Sequence, residues 1–324
     1  MRLGRPWSRL LGLSTVAALG VATVACDVAT PEPPSFADLP PANPIVVGRA
    51  ITDQAGWVEY TPGDAPLILV APHGGLLQPP LLPDRACSGC VFVNDLATQE
   101  LARTIVETFV RRTRTRPHLV VNLLHRRKFD ANRDLTEASG GDVTLTPSWR
   151  AFHAFIDTAE ALVGRQHRRG LLLDLHGHSH EVQRLEWGYL LGATTLRQTD
   201  GALASSGALE RSSIARLAGD RRSGDAPVAL LRGAGSLGGL LAARGVRGVP
   251  SPAEPAPGFG EPYFEGGYNT ERHGSLDARS VVDAVQLECH LSGVRDTPEN
   301  RQRFADRLVD ALLVFLDRQY GWQP

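Results

Sequence analysis

"LLLDLHGHSH" occupies residues 171–180. Four leucines with one aspartate among them run straight into histidines at 176, 178 and 180. Apolar residues at successive positions mark a short strand buried on both faces, the kind found inside parallel sheets. The stretch therefore reads either as a buried strand that delivers ligands to a metal or as a strand that runs into a polar loop. Were the chain extended throughout, all three histidines would share one face. Gly177 is expected to start a loop, so the later two should diverge. His176 is then the ligand candidate, His178 supports it from behind, and His180 lies at the surface or pocket rim.

Around this strand the pattern alternates. Residues 65–75, "APLILVAPHGG", and 117–125, "PHLVVNLLH", read as buried strands, and 186–191 and 281–289 as two more. Between them, residues 95–112 place Ala97, Leu101, Ile105 and Phe109 at a spacing of four, an amphipathic helix with basic residues at its exit. Further helices are expected at 147–164, 206–218 and 236–244. The last runs over 297–319, with Thr297 as N-cap and Pro298 at the first helical position. Strand–helix alternation of this kind predicts an α/β/α sandwich around a mostly parallel mixed sheet.

The first 26 residues differ. Arg2, Arg5 and Arg9 precede an uncharged apolar run, and "ATVAC" ends at Cys26. About 15 apolar residues is too short for a membrane-spanning helix, and small residues before the cysteine read as a secretory cleavage point. Residues 1–25 are thus expected to be a lipoprotein-type signal peptide and Cys26 a lipid-modified N-terminus. The alternative is ordinary secretion. Residues 26–44, rich in Pro and small residues, read as a tether, and 45–324 as one catalytic domain. Removing residues 1–25 leaves 31 basic against 35 acidic side chains, a charge of −4. With only short basic runs, nothing points to nucleic acid; the expected partners are a small-molecule or peptide substrate and, through the anchor, a membrane. Cys87 and Cys90 form "CSGC", half a structural zinc site without its second half. In an exported chain a loop disulfide suits them better, with Cys289 a buried thiol.

In such sheets the active site lies beyond the carboxyl ends of the strands. Those ends carry His73, His176, Glu288 and a cluster of Asp130, Asn132 and Arg133. "PHGG" (72–75), "ND" opening at 94, "HRRKFDANR" (125–133), "LLLDLHGH" (171–178), "YFEGGYNTERHGS" (263–275) and "VQLECH" (285–290) occur in the order found in N-formylglutamate amidohydrolases. From about residue 65 onward the chain resembles that family, which in turn resembles zinc carboxypeptidases in sheet topology and metal site.

The resemblance implies a zinc-dependent hydrolase acting on a C–N amide bond, with a phosphorylase/hydrolase-like, zinc carboxypeptidase-like fold. It implies His73 and His176 as zinc ligands and Glu288 as the base that activates water. For each histidine the plain reading is structural, a turn residue or a core residue; for Glu288 it is a salt bridge. Carboxypeptidases place a Glu three residues after the first His, where this chain has Leu76, so Asp95 is proposed as third ligand; helix N-cap is its other reading. Asn132 and Arg133 are expected to hold a substrate carboxylate. Arg272 and His273 are expected to contact substrate or stabilise an oxyanion, and Asp174 to accept the second N–H of His176. "GAGSLG" (233–238) has dinucleotide-site spacing but lies late in the chain, and reads as a turn and helix start. The other functional readings are a zinc carboxypeptidase-like peptidase acting on peptides or cell-wall fragments, and an anchored binding protein without turnover.

Overall fold

The computed structural model describes residues 45–220, 222–276 and 280–324. Among these residues eight strands make one sheet: β1 (Ile51–Thr52), β2 (Val58–Thr61), β3 (Leu67–Ala71), β4 (His118–Asn122), β5 (Gly170–Gly177), β6 (Leu185–Gly188), β7 (Gly248–Val249) and β8 (Val282–Cys289), in the order β1-β2-β4-β3-β5-β8-β6-β7. The central four, β4, β3, β5 and β8, are parallel, while β2 and β6 join their flanks antiparallel. Every residue of β3, β4 and β8 is buried, as expected of strands covered on both faces.

Three long helices do most of the covering: α1 (Thr98–Thr113), α3 (Thr146–His167) and α10 (Pro298–Tyr320). Short helices fill the connections: α2 (Leu135–Ser139), α4 (Ala193–Leu196), α5 (Asp200–Ser205), α6 (Ala215–Gly219), α7 (Ala229–Arg232), α8 (Leu237–Ala242) and α9 (Tyr268–His273). Strand side chains alternate between two cores. Leu69, Leu173 and Leu287 pack with Leu101 and Phe109 of α1 and Leu308 and Leu312 of α10. Ile68, Leu172 and Ala284 pack on the other face with Phe152, Phe155 and Ile156 of α3. The result is the expected three-layer sandwich. The same alternation carries Asp174 and His176 out on the α3 face of β5, and Gln286 and Glu288 beside them on β8.

Several boundaries differ from expectation, each for a local reason. α10 starts as read, with Thr297 accepting from Asn300 N at 3.1 Å. α1 starts three residues late, because Ala97 takes the cap position in a left-handed conformation and Asp95 turns away. The helix expected over 206–218 is broken. Ser213 O accepts from the main-chain nitrogens of Ser275 and Ala284, which pulls that segment out of helical geometry. "GAGSLG" is a turn that Ser236 caps into α8, and Gly238 is required because a Cβ there would collide with the Pro250 carbonyl. Cys87 and Cys90 are paired and Cys289 is a buried thiol. Cys26, the signal segment 1–25 and the tether 26–44 lie outside the described residues.

Candidate metal centre

The centre is assembled at the carboxyl edge of the parallel strands. His73 follows β3, Asp95 lies in the loop that leads to α1, and His176 is near the end of β5. All three are buried. His73 Nδ1 and His176 Nδ1 are 3.1 Å apart, and Asp95 Oδ2 lies 3.3 Å from each. Zinc–nitrogen bonds of about 2.0 Å at tetrahedral angles separate ligand atoms by about 3.3 Å, so these three atoms are spaced as ligands on one ion. Asp95 Oδ2 also accepts from Gly177 N at 3.1 Å, which orients the carboxylate.

Each histidine is backed on its other nitrogen. His73 Nε2 is 2.6 Å from Asp130 Oδ1. His176 Nε2 is 2.9 Å from Asp174 Oδ2 and 3.3 Å from Asn132 Nδ2. The Asp174 contact has ion-pair distance without hydrogen-bond alignment. Carboxylate support of this kind fixes the tautomer of a metal-bound imidazole and raises its basicity. Asp130 is itself held by Arg126 Nε at 3.0 Å and Arg85 Nη2 at 3.6 Å.

Charge is concentrated here. Burial by itself would raise Asp95, but the nearby His73 charge and hydrogen bonds from His176 and His73 outweigh it and hold the carboxyl well below its usual range. Burial likewise works against charge on His176, yet Asp174, Asp95 and Glu288 together raise it well above an ordinary imidazole. Glu288 sits directly beside His176 in the β5–β8 register. Burial pushes it up to about 8, with His176 opposing. Gln286 Nε2 donates to Glu288 Oε1 at 2.9 Å, while Oε2 is buried without a hydrogen-bond partner among the described residues. Glu186 of β6 continues the row on the far side of Glu288.

Not every expected site residue joins this centre. Asn132 is spent on the protein: its Oδ1 accepts from Asn269 N at 2.7 Å and its Nδ2 faces His176. Arg133 donates to Asn132 O at 2.8 Å and pairs with Glu137 at 3.4 Å beside the CSGC loop. His178 supports main chain rather than metal ligands: Nε2 donates to Arg184 O and Nδ1 accepts from His180 N, which occupies both ring nitrogens. His180 is at the rim of a cleft, 2.9 Å from Glu186 Oε1.

Arg272 and His273 lie in a second cluster. His273 Nδ1 is 3.2 Å from Glu160 and 3.5 Å from Asp157, and its Nε2 is 2.9 Å from His153 Nδ1. Arg272 lies over the Trp149 ring. Burial keeps His273 neutral, down at about 4, and pushes Glu160 up to about 8. The glycine-flanked stretch is in fact helix α9, and its contribution to the centre is Asn269, whose Nδ2 donates to Asp174 Oδ1 at 3.2 Å.

Sequence reasoning missed Arg126, Asn269, Glu186 and Arg295. Arg295 is buried and donates to three carbonyls: Cys289 O at 3.1 Å, His178 O at 3.2 Å and Leu96 O. It lies against Gly177, where a Cβ would collide with the guanidinium. A cleft of about 500 Å³ opens onto Asp95 and Gly177 and is lined also by Arg126, His178, His180 and Arg295.

No protein-family model matches the sequence, and no curated protein matches it. Solved structures similar to this chain include an N-formylglutamate amidohydrolase from Ralstonia eutropha JMP134, at 13% identity over 82% of this chain and 97% of that one, with a TM-score of 0.47. A gene product of Agrobacterium tumefaciens is 15% identical over 79% and 93%, with a TM-score of 0.45. A metallo-carboxypeptidase from Pseudomonas aeruginosa, in complex with (2-guanidinoethylmercapto)succinic acid, is 12% identical over 84% and 64%, with a TM-score of 0.41. What the site can do follows from its own donor atoms.

Proposed function

We propose that this chain is a zinc-dependent hydrolase that cleaves the amide bond of a small carboxylated substrate, an N-acyl amino acid or a short peptide. The observation that carries it is the convergence of His73 Nδ1, His176 Nδ1 and Asp95 Oδ2 within 3.3 Å of one another, beside a buried Glu288. Two imidazoles and one carboxylate make a donor set that suits zinc and leaves a fourth position open. Zinc bound there supplies a Lewis acid for the scissile carbonyl and lowers the pKa of water.

The rest of the chemistry belongs to the chain. Asp130, and Asp174 through its charge, would keep the two imidazoles turned so that Nδ1 of each could serve as a ligand. Glu288, raised by burial, is suited to take a proton from water and return it to the leaving amine. Its unpartnered Oε2 is the atom available for that transfer. We also propose, from the sequence, that the chain is exported and anchored through Cys26. The Cys87–Cys90 pair fits an oxidising compartment.

Elemental analysis of the purified protein tests the centre. Near-stoichiometric zinc is expected, lost in both His73→Ala and His176→Ala. Glu288→Gln is expected to keep the metal and lose activity by about 10²–10⁴-fold on an N-acyl amino acid. Folded protein that takes up no added zinc would remove the mechanism and leave a binding protein.

A further inference from the structure

The cleft above the centre has two apolar walls. Val91, Val93 and Leu96 form one, from the segment that leads to α1; Phe264 and Leu291 form the other, from the approach to α9 and the turn after β8. Among the described residues sixteen large apolar side chains are exposed, and these five are among them, gathered in one concavity. Val93 is 75% exposed and Leu96 58%.

These walls are held in place. Arg85 Nη2 donates to Val91 O at 2.6 Å. Asn94 bonds Gly75 O at 2.5 Å and accepts from Arg126 N at 2.8 Å. Phe264 stacks on His180 with ring centroids 4.7 Å apart, and its main-chain N donates to Glu186 Oε2 at 2.8 Å. Clustered apolar side chains held out to water by a polar framework mark a binding surface.

Charge narrows what the surface takes. Arg126 and Arg295 line the cleft with Asp95 and Asp296, two cations against two anions. Arg126 is engaged by Asp95 and Asp130, and Arg295 by three carbonyls. A near-neutral, apolar-walled cleft suits the half of an N-acyl amino acid that carries no carboxylate. A formyl group is one carbon and would leave both walls wet.

Resting on the hydrolase reading above, we infer that the acyl half of the substrate is an apolar chain several carbons long, seated between Val91–Val93–Leu96 and Phe264–Leu291. The substrates are then N-(fatty acyl) amino acids or their like, not N-formyl ones.

The test uses the purified zinc-loaded protein and straight-chain carboxylates from acetate to octanoate, the acids such a reaction would release. Calorimetry should show Kd falling about fourfold per added methylene, the factor expected for burying each CH₂. Val93→Asp should flatten that gradient. Equal affinity along the series would overturn the inference, as would a gradient indifferent to Val93→Asp. Turnover is read separately, on N-acylglycines from formyl to octanoyl. Fastest release of glycine from the formyl compound overturns the inference and keeps the hydrolase. A length gradient in binding, with no glycine released from any compound, sinks the hydrolase and keeps the acyl site.

Discussion

At His73 the two ring nitrogens have different partners, and the difference yields a prediction. Nδ1 faces His176 and Asp95, while Nε2 is 2.6 Å from Asp130. Asp130→Asn should leave the fold intact and weaken zinc binding by about 10–100-fold, because an amide no longer stabilises charge on the ring. Competition with a chelator of known affinity would measure it; unchanged affinity would deny Asp130 a supporting part. Glu160 offers a test by pH. Burial raises it to about 8, so its folded value exceeds its unfolded one. Its contribution is full below the unfolded value and is lost as pH rises toward 8. The melting temperature of the native protein should therefore fall relative to Glu160→Gln across that range, and parallel curves would contradict the assignment. That His73, Asp95 and His176 would come together was readable, since the histidines follow recognisable strands and Asp95 lies in the segment before a recognisable helix. His273 was misplaced because "GGYNTERHGS" looks like a loop. Once it is known to be α9, Asn269 and His273 fall a turn apart, and Asn269 is the one at the centre.

Between elements, Arg295 joins segments that carry the centre. Its guanidinium ties the loop after Asp95, the end of β5 and the end of β8 through Leu96 O, His178 O and Cys289 O. Arg295→Ala leaves those carbonyls without their donor and should cost about 3 kcal/mol, read as a lower urea midpoint with unchanged slope. Arg295→Lys should recover little, since an ammonium cannot reproduce the fork. A loss under 1 kcal/mol would mean that the carbonyls find other donors. No sequence pattern announces such a residue, because its partners are all main chain. The long helices and central strands were readable from apolar spacing alone. The edge strands β1 and β7, two residues each, carry too little pattern to be seen. The break before α6 comes from main-chain bonds made by Ser213, which residue type does not reveal.

For the molecule as a whole, the centre joins residues far apart in the chain, so an ion bound there is linked to global stability. Zinc at 1,000 times its Kd should stabilise the protein by about 4 kcal/mol, seen as a higher melting temperature that EDTA reverses. His176→Ala should melt at the same temperature with and without zinc. The sandwich itself was legible from strand–helix alternation, but the strand order was not. β8, the last strand made, lies inside the sheet between β5 and β6. Before residue 282 is synthesised, β5 has an open edge on that side and β6 and β7 have no route into the sheet. A nascent chain released early would therefore present an unpaired apolar strand to its neighbours, the usual start of aggregation. Closure of the sheet therefore has to wait until β8 has been made, however early the strands before it are ready.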